Sequence, residues 1–147
     1  MLSLPVQALA LRRDYPDADI SLSSTTLEWL GRLTPSELSE TYEVKLVAGG
    51  QKIAPIVRVL SPKLEPDPAG RLPHVWPDGS LCLFRQSQWS PRYLFAETII
   101  PWASEWLLHY EFWKGAGIWL GDGIQSEAPD MQASLLHQFR SSTQDKA

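Results

Sequence analysis

A chain of 147 residues with 44% apolar and 20% charged side chains is long enough to bury one core of its own, which excludes disordered and solenoid readings. Thirteen basic against seventeen acidic residues leave a formal net charge of −4, so no basic field exists to hold a nucleic-acid backbone. The single cysteine, Cys82, excludes an internal disulfide and any cysteine-rich zinc module, and the three scattered histidines have no ligand spacing.

The elements follow in chain order. The start Met1-Leu2-Ser3-Leu4-Pro5 lacks the basic stretch of a secretion signal, and no apolar run approaches the ~20 residues a bilayer span needs, so a cytoplasmic protein that stays off membranes is expected. Ser3, Pro5, then Val6, Leu9 and Ala10 at helical spacing ahead of Arg12-Arg13 predict a capped first helix that stops before Pro16, with those three as its apolar side. Segments 25–33, 41–48 and 53–60 read as strands. In the second, Tyr42, Val44, Leu46 and Ala48 alternate with Glu43, Lys45 and Val47, and Gly49-Gly50 supplies a turn. Pro55 confines the third strand to an edge, and the three form an antiparallel meander.

Between Ser61 and Asp78 stand five prolines and Gly70, a density that neither helix nor central strand tolerates, so a long ordered loop is expected. From Ala96 onward, Ile99, Ile100, Ala103, Trp106, Leu107, Tyr110 and Trp113 recur every three or four residues and predict an amphipathic helix ended by Gly115 and Gly117. Gly121-Asp122-Gly123 reads as a turn. A short helix after Pro129 places Met131, Leu135 and Phe139 on one face, before a tail from Ser141 to Ala147. Five of the seven tryptophans fall between Trp89 and Trp119, so this half carries large flat apolar surfaces, divided between core and interface.

The nucleophile candidate is Cys82, in Pro77-Asp-Gly-Ser-Leu-Cys-Leu83 at the end of the proline-rich loop. By base rate a lone cysteine flanked by leucines is an inert core residue. The surrounding sequence shifts that reading. Leu72-Pro-His-Val-Trp-Pro-Asp-Gly-Ser-Leu-Cys-Leu83 followed by Gln88-Trp-Ser-Pro91 resembles the active-site region of E2 ubiquitin-conjugating enzymes. In that family a His-Pro-Asn tripeptide precedes a glycine turn, a cysteine between aliphatic residues and a Trp-x-Pro element. Here His74, preceded by Pro73, stands eight residues before Cys82, in the asparagine's place. Leu72 replaces the family's histidine, losing a side-chain bond that would brace the loop, and Phe84 stands where aspartate is usual.

The resemblance covers roughly residues 5 to 113. Beyond Trp106 the aromatic sequence Glu105-Trp-Leu-Leu-His-Tyr-Glu-Phe-Trp113, with Gly-Ile-Trp-Leu-Gly121 after it, is similar instead to prokaryotic E2-like proteins of bacterial anti-phage operons, including cyclic-oligonucleotide signalling (CBASS) operons. The implied fold is α+β and E2/UBC-like: an N-terminal helix, an antiparallel β-meander, an active-site loop and C-terminal helices. It forms one domain over residues 1–140, with 141–147 a flexible tail.

The implied chemistry is acyl transfer. Cys82 would accept an activated C-terminal carboxyl as a thioester and pass it on, because a thiolate attacks carbonyls readily and also leaves readily. His74 is the second catalytic candidate. Its ring N–H could stabilise the tetrahedral oxyanion, it could take a proton from the acceptor, or it could merely pack against Trp76. Pro73, Trp89 and Pro91 are expected to support the site, whereas Asp78, Asp122 and His109 read as turn or structural residues. Neither metal nor cofactor is required. The absence of a glycine-rich phosphate loop puts any ATP step on another protein.

Implied partners are a cGAS/DncV-like nucleotidyltransferase whose C-terminus is the donor, or a ubiquitin-like protein, with an E1-like activating enzyme. Nucleic acid is not among them. Two other readings stand beside the carrier: a non-catalytic adaptor that docks through its aromatic half, and a thiol hydrolase, disfavoured because no residue orients His74.

Overall fold

A computed structural model describes residues 1–50 and 52–121. The first helix, α1, spans Leu4–Asp14, with the Ser3 side chain accepting from the Val6 amide at 3.4 Å, Pro5 in the first turn and Arg12 and Arg13 in the last. It ends before Pro16, as the capping pattern predicts. Its buried side differs from the expected one. Val6 and Leu9 are 43% and 64% exposed, while Gln7, Ala8, Ala10 and Leu11 face inward. Gln7 belongs there because its amide is fully used. Nε2 donates to the Tyr93 carbonyl at 2.9 Å and Oε1 accepts from the Phe95 amide at 2.8 Å, so a buried polar group clamps the chain that leads into the last helix.

Four strands follow, one more than expected: β1 (Asp19–Leu22), β2 (Thr26–Leu33), β3 (Tyr42–Gly49) and β4 (Lys52–Ser61), antiparallel in the order β1-β2-β3-β4. β1 is short, pairs only with β2 and has just Ile20 half-buried, so no alternating stripe announces it. In β2 and β3 the period of two is complete. Leu27, Trp29 and Leu33 point to the same covered face as Tyr42, Val44, Leu46 and Ala48. Gly49 adopts φ 104°, and a Cβ there would fall 2.2 Å from the Thr25 carbonyl oxygen, so only glycine closes this corner. β4 is an edge strand. Pro55 falls where the β3–β4 register is interrupted, between the Val47–Ile56 and Gly49–Lys52 pairs, so its missing N–H costs no ladder bond in a regular stretch.

From Pro62 to Thr98 the chain holds one 3-10 turn, Gln86–Gln88, and an isolated bridge between Val75 and Leu81. The second helix, α2, spans Ile99–Ala116, starting three residues later than its apolar period, with Pro101 in its first turn. Gly115 lies inside it. Gly117 ends it in the left-handed conformation (φ 74°), its N–H donating to the Trp113 carbonyl at 2.7 Å. Ile99, Ile100, Ala103, Trp106, Leu107 and Tyr110 are buried, as the spacing predicts, and share one core with the sheet and α1; Trp113 of the predicted stripe is only half-buried, and Trp102, outside it, is buried as well.

Side chains of α2 also reach outward to the backbone. Glu111 accepts from the Tyr42 hydroxyl (2.8 Å), the Ser39 hydroxyl and the Glu40 amide (3.2 Å), and Tyr110 accepts from the Glu65 amide at 2.8 Å. Burial, and then the Glu111 carboxylate, push the Tyr42 hydroxyl far above its usual range. Among the described residues no helix is long and apolar enough to cross a membrane. The expected helix after Pro129, the tail and Asp122 lie outside the described residues.

Candidate functional site

Val75 to Leu81 forms a tight antiparallel loop. Pro77 and Asp78 occupy the centre of a turn closed by the Gly79 N–H donating to the Trp76 carbonyl at 2.9 Å, and Trp76 N–H donates to Ser80 at 2.8 Å. At its neck the Cys82 amide donates to the His74 carbonyl at 2.9 Å. Cys82 and His74, eight residues apart in the chain, are therefore opposite each other across two strands of backbone. Cys82 is half-buried, between the buried Leu81 and Leu83.

Three attachments hold this loop. Leu81 N–H donates to the Val57 carbonyl at 2.9 Å, which adds the loop to the outer edge of β4. Asp78 turns one carboxylate oxygen to the Ser80 N–H and hydroxyl and the other to Arg58 on β4, 3.2 Å away, confirming it as a turn residue with a structural job. Finally, Trp106 of α2, 1% exposed, donates its indole N–H to the His74 carbonyl at 3.1 Å, so one oxygen accepts from both Trp106 and Cys82.

His74 has φ 56°, the one positive-φ residue other than glycine among the described residues. Histidine is among the side chains that enter this left-handed region most readily. The packing partner expected from sequence, Trp76, is instead 55% exposed at the loop tip. The His74 ring lies against Trp119, centroids 5.0 Å apart at 36°. Trp119 meets Trp106 edge-on at 5.1 Å and lies 6.0 Å from His109 and 6.5 Å from Trp113. No spacing rule links Trp119 to His74, 45 residues apart in sequence, so this contact was invisible before the fold.

Of the residues expected to support the site, Pro73 is half-buried next to His74, and Trp89 stacks on Phe84 (5.5 Å, 30°), which also meets Trp102 at 5.7 Å. Phe84 thus fills an aromatic wall two residues beyond Cys82. The Pro91 carbonyl accepts from the Leu2 N–H at 3.0 Å, tying this stretch to the start of α1. His109 is buried and pairs with Glu105 at 3.3 Å within α2. Among the described residues no cluster of histidine, cysteine, aspartate or glutamate could hold a metal ion. A cleft of about 620 Å³ lies between the end of α1 and β2, lined by Asp14, Tyr15, Trp29 and Arg32 among others, and neither Cys82 nor His74 lines it.

A family model described as Type II CBASS E2 protein matches residues 7–126, a span that starts within α1, runs through α2 and includes the whole loop around Cys82. No curated protein matches the chain.

Proposed function

Because the chain belongs to the type II CBASS E2 family and has an E2-like role in CBASS, we propose that it is an acyl carrier whose Cys82 holds a partner's C-terminus as a thioester. The observation that carries this reading is the loop neck, where the sole cysteine of the chain, half-buried, stands opposite His74 on backbone pinned to both the sheet and α2. A carrier must offer its sulfur to two large partners in turn, and a braced surface loop suits that better than an enclosed pocket.

In the loading step the Cys82 sulfur attacks the carbonyl carbon of a carboxyl activated on another protein. The C–S bond forms, the bond to the activating group breaks, and the thiol proton passes to solvent or to His74. In the second step an acceptor amine attacks the thioester carbon. The C–N bond forms, the C–S bond breaks, and the departing thiolate recovers a proton as the amine loses one. Both steps pass through an oxyanion, and a ring N–H at His74, across the loop neck from Cys82, is the donor that would serve it. The donor carboxyl is that of a cGAS/DncV-like nucleotidyltransferase or a ubiquitin-like protein, activated by an E1-like enzyme.

Co-expression with the operon neighbours tests this, comparing the native protein with Cys82→Ser and Cys82→Ala on non-reducing gels and by intact mass. The serine variant accumulates an ester, labile to mild base, whose mass exceeds that of the variant by one neighbour less one water, and the alanine variant forms none. Exposed Leu108, Phe112 and Ile118 on and after α2 favour a second reading, a non-catalytic adaptor. A neighbour that co-purifies without any adduct in all three proteins is the result that adaptor predicts.

A further inference from the structure

We infer that Trp119 and Trp106 are positioning residues for acyl transfer, acting on His74 from two sides; this rests on the carrier reading above. Trp106 fixes the His74 main chain through its 3.1 Å hydrogen bond, and Trp119 fixes the ring through the 5.0 Å contact. Gly117 makes the second possible. By ending α2 in the left-handed conformation it returns the chain, so that residue 119 reaches a buried place between the helix and the loop.

The backbone at residue 74 provides an independent reason. A left-handed residue with a Cβ is disfavoured relative to glycine, and here that residue carries a ring with its own aromatic seat, so backbone and packing together set where the ring lies. The seat itself is tight: a Cβ on Gly121 would fall 2.7 Å from the Trp119 indole nitrogen and 3.3 Å from His109. The strap from Ile118 to Gly121 is thereby packed around one indole, and the indole around one imidazole.

The test uses the full chain with its operon neighbours and two reactions at the same sulfur. Adduct formation on Cys82 needs an oxyanion stabilised, whereas alkylation of Cys82 by iodoacetamide does not. Trp119→Leu is expected to slow adduct formation about 10- to 100-fold, in the range that misplaced catalytic groups produce, and to leave the alkylation rate within about twofold. Trp119→Phe restores most of the loss, and Trp106→Phe, which removes only the N–H donor and some volume, gives a smaller loss of the same kind. Combined with His74→Ala, Trp119→Leu adds nothing further, because its effect passes through the ring already removed.

Additive losses in that double variant overturn the inference and leave the carrier reading intact. Equal losses in alkylation and adduct formation also overturn it, marking Trp119 as packing alone. No adduct from the unsubstituted protein removes the carrier reading and this inference together.

Discussion

The sheet and the stretch from Pro62 to Thr98 are held by opposite means. In β2 and β3 the backbone is held by unbroken antiparallel pairing of Thr26–Leu33 with Tyr42–Gly49, and side chains seal the covered face. The loop stretch has one bridge and a few local turns of its own, and its backbone is further held by side chains sent from elsewhere: Gln7 from α1, Trp106 and Tyr110 from α2, Arg58 from β4. A segment without a ladder can present a reactive group on any side, provided its scaffold supplies the missing partners. The cost is that its geometry depends on a few long-range bonds.

The contrast can be broken most severely from the sheet. Trp29 is fully buried on β2, and Trp29→Ala is expected to cost about 3–5 kcal/mol, enough to unfold much of the protein in urea denaturation and to take sheet and loop together. Gln7→Ala separates them. It leaves the Phe95 N–H buried without its partner, for about 1–3 kcal/mol, and hydrogen exchange should show lost protection at Phe95 while β3 amides keep theirs.

Alkali supplies a milder probe at the end of α1. Burial, then the nearby Asp14 charge, push the Tyr15 hydroxyl up to about 12, above the ~10 of an unfolded chain. A raised value means the folded state prefers the neutral phenol, so its contribution is complete below pH ~10 and is lost as pH rises towards 12. Melting temperatures across that window should fall more steeply for the native protein than for Tyr15→Phe. The smallest effect belongs to Arg58→Ala. Its ion pair with Asp78 is about two-fifths exposed on both sides, so less than ~1 kcal/mol is at stake, and the rate of adduct formation should hardly change while the Leu81–Val57 bond remains.

The same contrast decides what could be read from sequence. β3 was legible because alternation is a local property, and α2 because its apolar period survives eleven residues beyond Ile99 and reaches Tyr110. β1 has too few residues to display a period. The buried side of α1 was misread because it is chosen by a bond to Tyr93 and Phe95, more than eighty residues away, and the glutamine that makes it looks like surface. At the site, Cys82 and His74 stood out through their spacing and the resemblance it carries. Trp106 and Trp119 did not, since each reads as one more aromatic residue in an aromatic-rich helix and its sequel.

The His74 carbonyl oxygen has two lone pairs and, with Cys82 and Trp106 as donors, both are engaged. The easiest escape for a left-handed residue is rotation of the adjoining peptide plane, and here that rotation would tear out two hydrogen bonds at once, one of them to a nearly inaccessible indole. Residue 74 is thus latched in its uncommon conformation through the atom that moves most in such a flip. On the carrier reading proposed above, a partner arriving at Cys82 meets a neck already set, and spends none of its binding energy on setting it.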